Sequence, residues 1–314
     1  MDVLSDVIAA MRIGRPRSVR VEHHGPFAGR LPTTVPGAGF HVVLQGTCWL
    51  VPRHGAPVPL STGDVAFLRH GSEVGIADHP STPMAEAPVP ALVATSISRN
   101  EPPAVIPGSS TEAAALPTVM LCGAYFLDES RPHPLLQELP EILHLPARLG
   151  HRPELRSAIE LLNSELKQPR EGTDVIVRAL LDMLLLYILR TWHDAQAPRH
   201  RTTGWAAALR DPATASALQA IHADPSRQWT VEDLAAHVGL SRPALARRFT
   251  SLLGQPPLSY LTWWRMTIAA RLLRESDAPL VTVANNVGYT SESAFAHAFK
   301  RAHGTAPGRY RRQP

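Results

Sequence analysis

The chain has 314 residues, 44% of them apolar, a formal net charge of +4 and two cysteines. That length suits two domains with real cores, and so few cysteines exclude a disulfide scaffold. The N-terminal residues 1–11 carry Asp2 and Asp6 without a basic flank, so no secretory signal is expected. The most apolar stretch, 175–192, contains Arg178, Asp182 and Arg190. It is too polar to span a bilayer, and a cytoplasmic protein is expected.

The first 130 residues read as β-rich. Strands are expected at 17–23, 39–45, 47–51, 64–68, 73–77 and 118–126, punctuated by Gly25-Pro26, Pro36-Gly37, Gly46, Pro52 and Gly63-Asp64. Residues 79–117 are rich in proline and read as a long loop, with a further strand possible at 91–96. Helices follow at 134–139, 153–167 and 173–194. The last is apolar almost all round and needs cover on several sides, so 131–194 is expected to be a helical dimerisation segment. Its Leu185 and Leu189 are expected at the interface of a homodimer. Residues 195–210 are expected to be a linker, polar over 195–204.

From residue 211 a pattern occurs twice. Leu234, Ala235, Val238 and Gly239 return 49 positions later as Val283, Ala284, Val287 and Gly288. Leu245, Phe249, Gly254, Pro257 and Tyr260 return 50 positions later as Phe295, Phe299, Gly304, Pro307 and Tyr310. Each copy reads as a helix-turn-helix, over 231–253 and 280–303, a unit that places its second helix in a DNA groove. Thr230 with Asp233 forms a capping box, the glycines suit left-handed turns, and Ser241 and Ser291 cap the second helices. Arg242, Pro243, Ala246 and Arg247 are then the outward residues of one recognition helix. Glu292, Ser293, His297 and Lys300 are those of the other. Residues 257–275 read as one connecting helix, a strut of roughly 28 Å at ~1.5 Å per residue. Successive major-groove segments lie ~34 Å apart, so one subunit can place both recognition helices on DNA. Charge agrees. Residues 211–314 hold twelve Lys/Arg against seven Asp/Glu, a net of +5, whereas residues 1–210 net −1. The excess suits a phosphate-binding surface. A solvated basic face is the bland alternative, and the duplicated motif argues against it.

These residues carry a resemblance. Segment 212–313 is similar to the AraC/XylS DNA-binding domain, through Trp229-Thr230-Val231-Glu232, Ser241-Arg242, Pro257-Leu258-Ser259-Tyr260-Leu261, Arg271-Leu272-Leu273, Val287-Gly288-Tyr289 and Pro307-Gly308-Arg309-Tyr310-Arg311. His297 stands where the family often has Arg, which implies weaker or pH-dependent binding by the second helix. Phe40-His41-Val42-Val43-Leu44-Gln45-Gly46 and Leu60-Ser61-Thr62-Gly63-Asp64-Val65 resemble the small cupin barrel that serves such regulators as sensor. The expected fold class is therefore α+β. A cupin-like β-barrel occupies 1–130, the helical dimerisation segment 131–194, and an all-α domain with two helix-turn-helix motifs 211–314.

The resemblance implies a transcription regulator and not an enzyme. It implies a regulator, activator or repressor, that binds double-stranded promoter DNA, meets RNA polymerase and answers a small-molecule or oxidant effector. A metal-dependent cupin enzyme is the first rival. It needs about three convergent ligands, of which only His41 is in hand, because Val74 stands at the position of a second. No cofactor is expected. A constitutive architectural DNA-binding protein is the other rival, and it leaves the β-domain idle. Cys48 and Cys122 fall on expected barrel strands and have two readings. They are small buried hydrophobes, or thiol sensors. The subfamily with this cupin and a Leu-Cys-Gly strand includes regulators that respond to reactive chlorine species. His41 and Trp49 are the remaining candidates for lining a sensor pocket.

Overall fold

The structure, a computed structural model, describes residues 2–31, 37–69, 71–88, 104–106, 116–128, 132–147, 153–195 and 203–312, with 85–88 and 104–106 as backbone. It divides into two compact units. One joins Gly14–Leu127 to Leu139–Asp194, and the other joins Met1–Ile13 and Asp128–Glu138 to Ala195–Pro314. The expected strand at 91–96 lies outside the described residues.

In the first unit the strands in chain order are β1 (Arg17–His23), β2 (Ala28–Arg30), β3 (Ala38–Gln45), β4 (Thr47–Pro52), β5 (Val58–Ser61) and β6 (Val65–Leu68). They continue as β7 (Val74–Ala77), β8 (Ala85–Pro88), β9 (Ala104–Ile106), β10 (Thr118–Tyr125) and β11 (Ile142–Leu145). Two separate sheets result, ordered β11-β6-β3-β10-β1-β9 and β5-β4-β7-β2-β8. The expected closed barrel is thus corrected. Among the described residues no hydrogen-bonded ladder joins the sheets. Their inward faces meet instead through side chains, with Val21, Val43, Met120 and Cys122 of one sheet and Cys48, Leu50, Leu60 and Ile76 of the other in one apolar cluster. Pleating explains the selection, since alternate residues of a strand face the same way.

The turn at Gly63-Asp64 fixes one edge. Gly63 has φ +90°, and the Asp64 carboxylate accepts hydrogen bonds from the backbone N–H of Ser61 and Ala147 at 3.0 and 2.7 Å. On its outer face the six-stranded sheet carries Phe40, Phe67 and Tyr125, packed ring to ring. The Tyr125 hydroxyl donates to the Leu181 carbonyl at 2.9 Å. The outer face is therefore covered by helix, which is why β3 shows Phe40, His41, Val42 and Val43 all buried rather than alternating.

The helices in chain order are α1 (Val3–Met11), α2 (Pro134–Gln137), α3 (Pro153–Lys167), α4 (Thr173–Ala195), α5 (Trp205–Arg210) and α6 (Pro212–Ala223). Then follow α7 (Val231–His237), α8 (Arg242–Leu253), α9 (Pro257–Glu275), α10 (Leu280–Asn286), α11 (Glu292–His303) and α12 (Pro307–Tyr310). Leu185 and Leu189 of α4 are each 1% exposed. This corrects their expected place at a dimer interface: they are core, because the sheet unit itself covers that face. The large apolar side chains left exposed on these two helices are Val175, Ile176 and Met183 of α4 and Leu161 of α3. No helix among the described residues is long and apolar enough to cross a membrane.

The expected linker also needs correction. Residues 205–210 form α5, and Trp205 is 1% exposed. A charged cap holds the start of that helix. The Glu138 carboxylate accepts from the Trp205 backbone N–H at 2.8 Å, at the positive end of the helix dipole. Nor does the first division at residue 130 match the compact units. Helix α1 and segment 128–138 pack with the C-terminal helices. Asp6 lies 3.4 Å from Nδ1 of His222, and Asp128 pairs with Arg274 at 2.8 Å. His133 is fully buried, with its ring 4.4 Å from that of Trp205 and 5.0 Å from that of Trp263.

Caps fix where the DNA-binding helices begin. Thr230 and Asp233 form the reciprocal capping box of α7, at 3.0 Å in each direction. Replacing Thr230 with Ala should cost about 1 kcal/mol of stability, and replacing it with Ser very little. Thermal unfolding of the two variants beside the parent checks this, and equal midpoints for Thr230→Ala and the parent would refute it.

Candidate nucleic-acid interface and sensor interior

Both motifs are built alike. In the first, Leu234 and Ala235 of α7 are buried, Gly239 turns at φ +68°, and the Ser241 hydroxyl accepts from the Ala244 N–H. Leu245 and Phe249 anchor α8 inward. In the second, Val283 and Ala284 are buried, Gly288 turns at φ +79°, and the Ser291 hydroxyl accepts from the Ala294 N–H. Phe295 and Phe299 anchor α11, with ring centroids 5.8 Å apart. The anchoring residues sit at i and i+4, so the opposite face of each helix is left to solvent.

That solvent face carries the expected residues. On α8, Arg242, Pro243 and Arg247 are exposed and Ala246 is half-buried. Arg242 reaches the Glu232 carboxylate at 2.9 Å, an exposed pair that a phosphate can displace at little cost. On α11, Glu292, Ser293, His297 and Lys300 are all exposed. Arg248 also lies on the outside of α8, but its guanidinium is bound by Asp211. A helical wheel alone does not separate Arg248 from Arg247. The partner 37 residues earlier does.

Connecting helix α9 spans the expected residues, Pro257–Glu275, and is buried along most of its length through Tyr260, Leu261, Trp264, Arg265, Met266, Ala269, Ala270 and Leu273. Tyr260 is held by the His222 ring, whose Nε2 lies 2.6 Å from the Tyr260 hydroxyl. Burial pulls the His222 imidazole down to about 3, so the ring is neutral and its stacking on Trp264 at 4.0 Å is a contact between neutral rings. Sequence reasoning missed His222 and His133, which carry no signal in a repeat that records only apolar and glycine positions.

In the sheet unit, His41 and Cys122 are direct cross-strand partners on β3 and β10. Nδ1 of His41 lies 3.2 Å from Sγ of Cys122. Cys48 enters the same apolar cluster from the opposite sheet, with its Sγ 3.9 Å from Sδ of Met120. Three sulfur atoms and one imidazole thus belong to one interior. Burial sets their charge. It pulls His41 down to about 4 and pushes Cys48 up to about 12, with the nearby Asp64 charge adding to the latter. Cys122 is raised as well, first by burial and then by Cys48. At neutral pH the contact is therefore imidazole to thiol, not imidazolium to thiolate. Among the described residues no three His, Cys, Asp or Glu side chains converge on a metal position, and Val74 is part of the apolar cluster.

Trp49 is corrected. Cys48 and Leu50 face the interior, so Trp49 points to the other side of β4, where its ring meets His79 edge-on at 6.5 Å. The inward residue that sequence reasoning missed is His23. It shares the inner face of β1 with Val19 and Val21 and stacks on Phe27 at 4.0 Å.

Comparison with known proteins agrees with both halves. A family profile described as Cupin matches residues 2–194, and one described as a helix-turn-helix domain matches residues 234–313. A Streptomyces lividans chain described as an AraC-like transcription regulator is 37% identical over 318 residues, covering 100% of this chain and 99% of its own. The RCS-specific HTH-type transcriptional activator RclR of Escherichia coli strain K12 is 34% identical over 197 residues, covering 62% of this chain and 68% of its own. Among solved structures, the DNA-binding domain of AdpA in complex with a target DNA is 38% identical and covers 32% of this chain and 90% of that one, with a TM-score of 0.31. The duplicated, capped motif and the full-length likeness lead to one conclusion: this chain belongs to the AraC-like transcription regulators and is a DNA-binding regulator with an N-terminal cupin domain.

Proposed function

We propose that this regulator binds promoter DNA in the cytoplasm with α8 and α11 in successive major grooves. Arg242, Pro243, Ala246 and Arg247 face one groove, and Glu292, Ser293, His297 and Lys300 the other. The observation that carries this is the outward guanidinium of Arg247, which has no partner among the described residues and stands in the N-terminal half of a helix whose other face is anchored by Leu245 and Phe249. Arg reads guanine through two acceptors at once in the major groove. Arg242 and Lys300 serve phosphates. RNA polymerase is the partner of the bound regulator, which acts as an activator. An architectural role is less well supported, because uniform binding has no use for a mixed Glu, Ser and His surface on α11.

The effector enters through the cupin interior. His41, Cys122 and Cys48 lie in one closely packed cluster, and the Escherichia coli relative is named RCS-specific. Neutral, buried thiols react poorly with charged or bulky electrophiles. A small uncharged oxidant such as hypochlorous acid suits an apolar interior. The sulfur displaces hydroxide from chlorine, the S–H proton leaves with it as water, and water then replaces chloride on sulfur, so that the chlorine takes up two electrons, leaves as chloride with a proton, and a small apolar thiol becomes a polar sulfenic acid. Strand β10, which carries Cys122, leads directly to Asp128, the carboxylate that holds Arg274 in the DNA-binding unit. In this reading the chain continuity from Cys122 to Asp128 is the route by which oxidation reaches the DNA-binding unit.

A second copy of the chain covers the exposed stripe of Ile176, Ala179 and Met183 on α4, which repeats at helical spacing. Such a dimer doubles the DNA contacts on paired half-sites.

Each part has its measurement. Arg247→Ala should cost about 1–3 kcal/mol on a cognate duplex and relax preference at one base position. Equal losses on cognate and random duplexes would instead assign Arg247 to phosphate. Cys48→Ser and Cys122→Ser should change the response of DNA affinity and reporter output to hypochlorous acid. An unchanged response in both variants removes the thiols from sensing. Ile176→Glu with Met183→Glu should sediment as monomer, and a parent chain that is already monomeric at micromolar concentration defeats the dimer.

A further inference from the structure

The clearest feature that the DNA-reading surfaces leave unexplained is a buried guanidinium between the two motifs. Arg265 lies at the middle of α9 and is 9% exposed. Its Nε donates to the Pro225 carbonyl at 2.7 Å, and its Nη2 donates to the Arg227 carbonyl at 2.8 Å and, at 3.5 Å, to that of Ser226. These carbonyls belong to the turn that leads into the Thr230 cap of α7. The turn is itself braced, since the Trp229 indole N–H donates to the Asp224 carbonyl at 2.9 Å and the Arg227 N–H to the Asp224 carboxylate at 3.0 Å.

The same guanidinium meets the second motif. Its carbon lies 5.9 Å from the centroid of Tyr289, which follows the turn glycine Gly288. Gly288 is left-handed, and a β-carbon there would stand 2.4 Å from the Ser226 carbonyl and 2.7 Å from Nη2 of Arg265. The Gly288 carbonyl accepts from the Gln228 side-chain N–H at 2.6 Å. So the entry to the first helix-turn-helix and the turn of the second are tied by one cation, one amide and a glycine-sized approach. A lysine cannot replace this fork, because a point charge on a flexible stem does not address several carbonyls in fixed directions.

We propose that Arg265, with Gln228 and Gly288, is a positioning clasp that fixes the distance and rotation between α8 and α11, and thereby sets the spacing of the two DNA segments the chain accepts. Neither Arg265 nor Gln228 stands on a recognition helix. Their effect is on geometry. One inserted base pair moves the second groove segment by ~3.4 Å along the axis and rotates it by roughly 35°. A rigid pair of recognition helices cannot follow that change, whereas a loosened pair can.

This inference rests on the proposal that both helices read DNA, and that proposal is tested separately by footprinting. The full chain is first used to select a duplex from a random-sequence pool. Two protected major-groove segments on that duplex uphold the two-helix reading whatever follows. Variants of the duplex with one and two base pairs inserted between the segments are then titrated with the parent, Arg265→Gln and Gln228→Ala, with circular dichroism as the check on folding. The parent should lose about tenfold or more per inserted base pair. Arg265→Gln should bind the selected duplex more weakly and lose no more than about threefold on insertion, with Gln228→Ala intermediate. A merely structural role would lower affinity on every duplex by the same factor. The clasp is overturned if the parent itself tolerates the insertions, or if folded Arg265→Gln keeps the parental penalty. It is equally overturned if Arg265→Gln does not fold and Gln228→Ala keeps that penalty.

Discussion

The C-terminal unit depends on the burial of α9. Two helix-turn-helix motifs on a flexible tether would find their grooves independently and pay the ordering entropy twice. Here the tether is a helix whose aromatic residues Tyr260 and Trp264 are packed by His222, Trp205 and Phe249. Ten of the nineteen residues of that helix are buried, and packing of this kind resists bending. The two recognition helices inherit its rigidity through short turns at Gly254 and through the contact of α9 with α10 and α11. Every side chain proposed to face DNA stands on one of those two helices.

The same physics that rigidifies the C-terminal unit keeps the interior of the cupin domain neutral. Desolvation penalises charge, so His41, Cys48 and Cys122 all sit in their uncharged forms despite their closeness. A thiol in water beside an imidazole would gain thiolate character. A thiol in an apolar cluster does not. Chemistry at this interior therefore depends on what can reach it, and selectivity by size and charge follows from the packing of two sheets.

The chain path also matters. Helix α1 precedes β1, and segment 128–138 follows β10, yet both pack with the C-terminal helices. Three carboxylates on these short pieces, Asp6, Asp128 and Glu138, face His222, Arg274 and the start of α5. Each lies against a donor or a cation belonging to helices far along the chain.

The amino-acid sequence by itself determined the elements whose signals are local and periodic. The capping box at Thr230 and Asp233, the turn glycines, the anchors at i and i+4, and the alternation along β1 and β4 depend on neighbours within a few residues, and such neighbours are visible in one dimension. The outward faces of α8 and α11 follow from the same periodicity. The short strands β2, β5 and β11, the helix α1 and the two-sheet arrangement escaped, because short segments carry too few residues for a period and acquire their shape from pairing partners. Only the tertiary structure decided that Trp49 faces away from Cys48's interior, that Leu185 and Leu189 are core, that Arg248 is taken by Asp211 while Arg247 is not, and that Arg265 joins residues 38 and more positions distant. Those facts are about contacts between remote parts of the chain, and the free energy of such contacts is fixed by packing that no local pattern records.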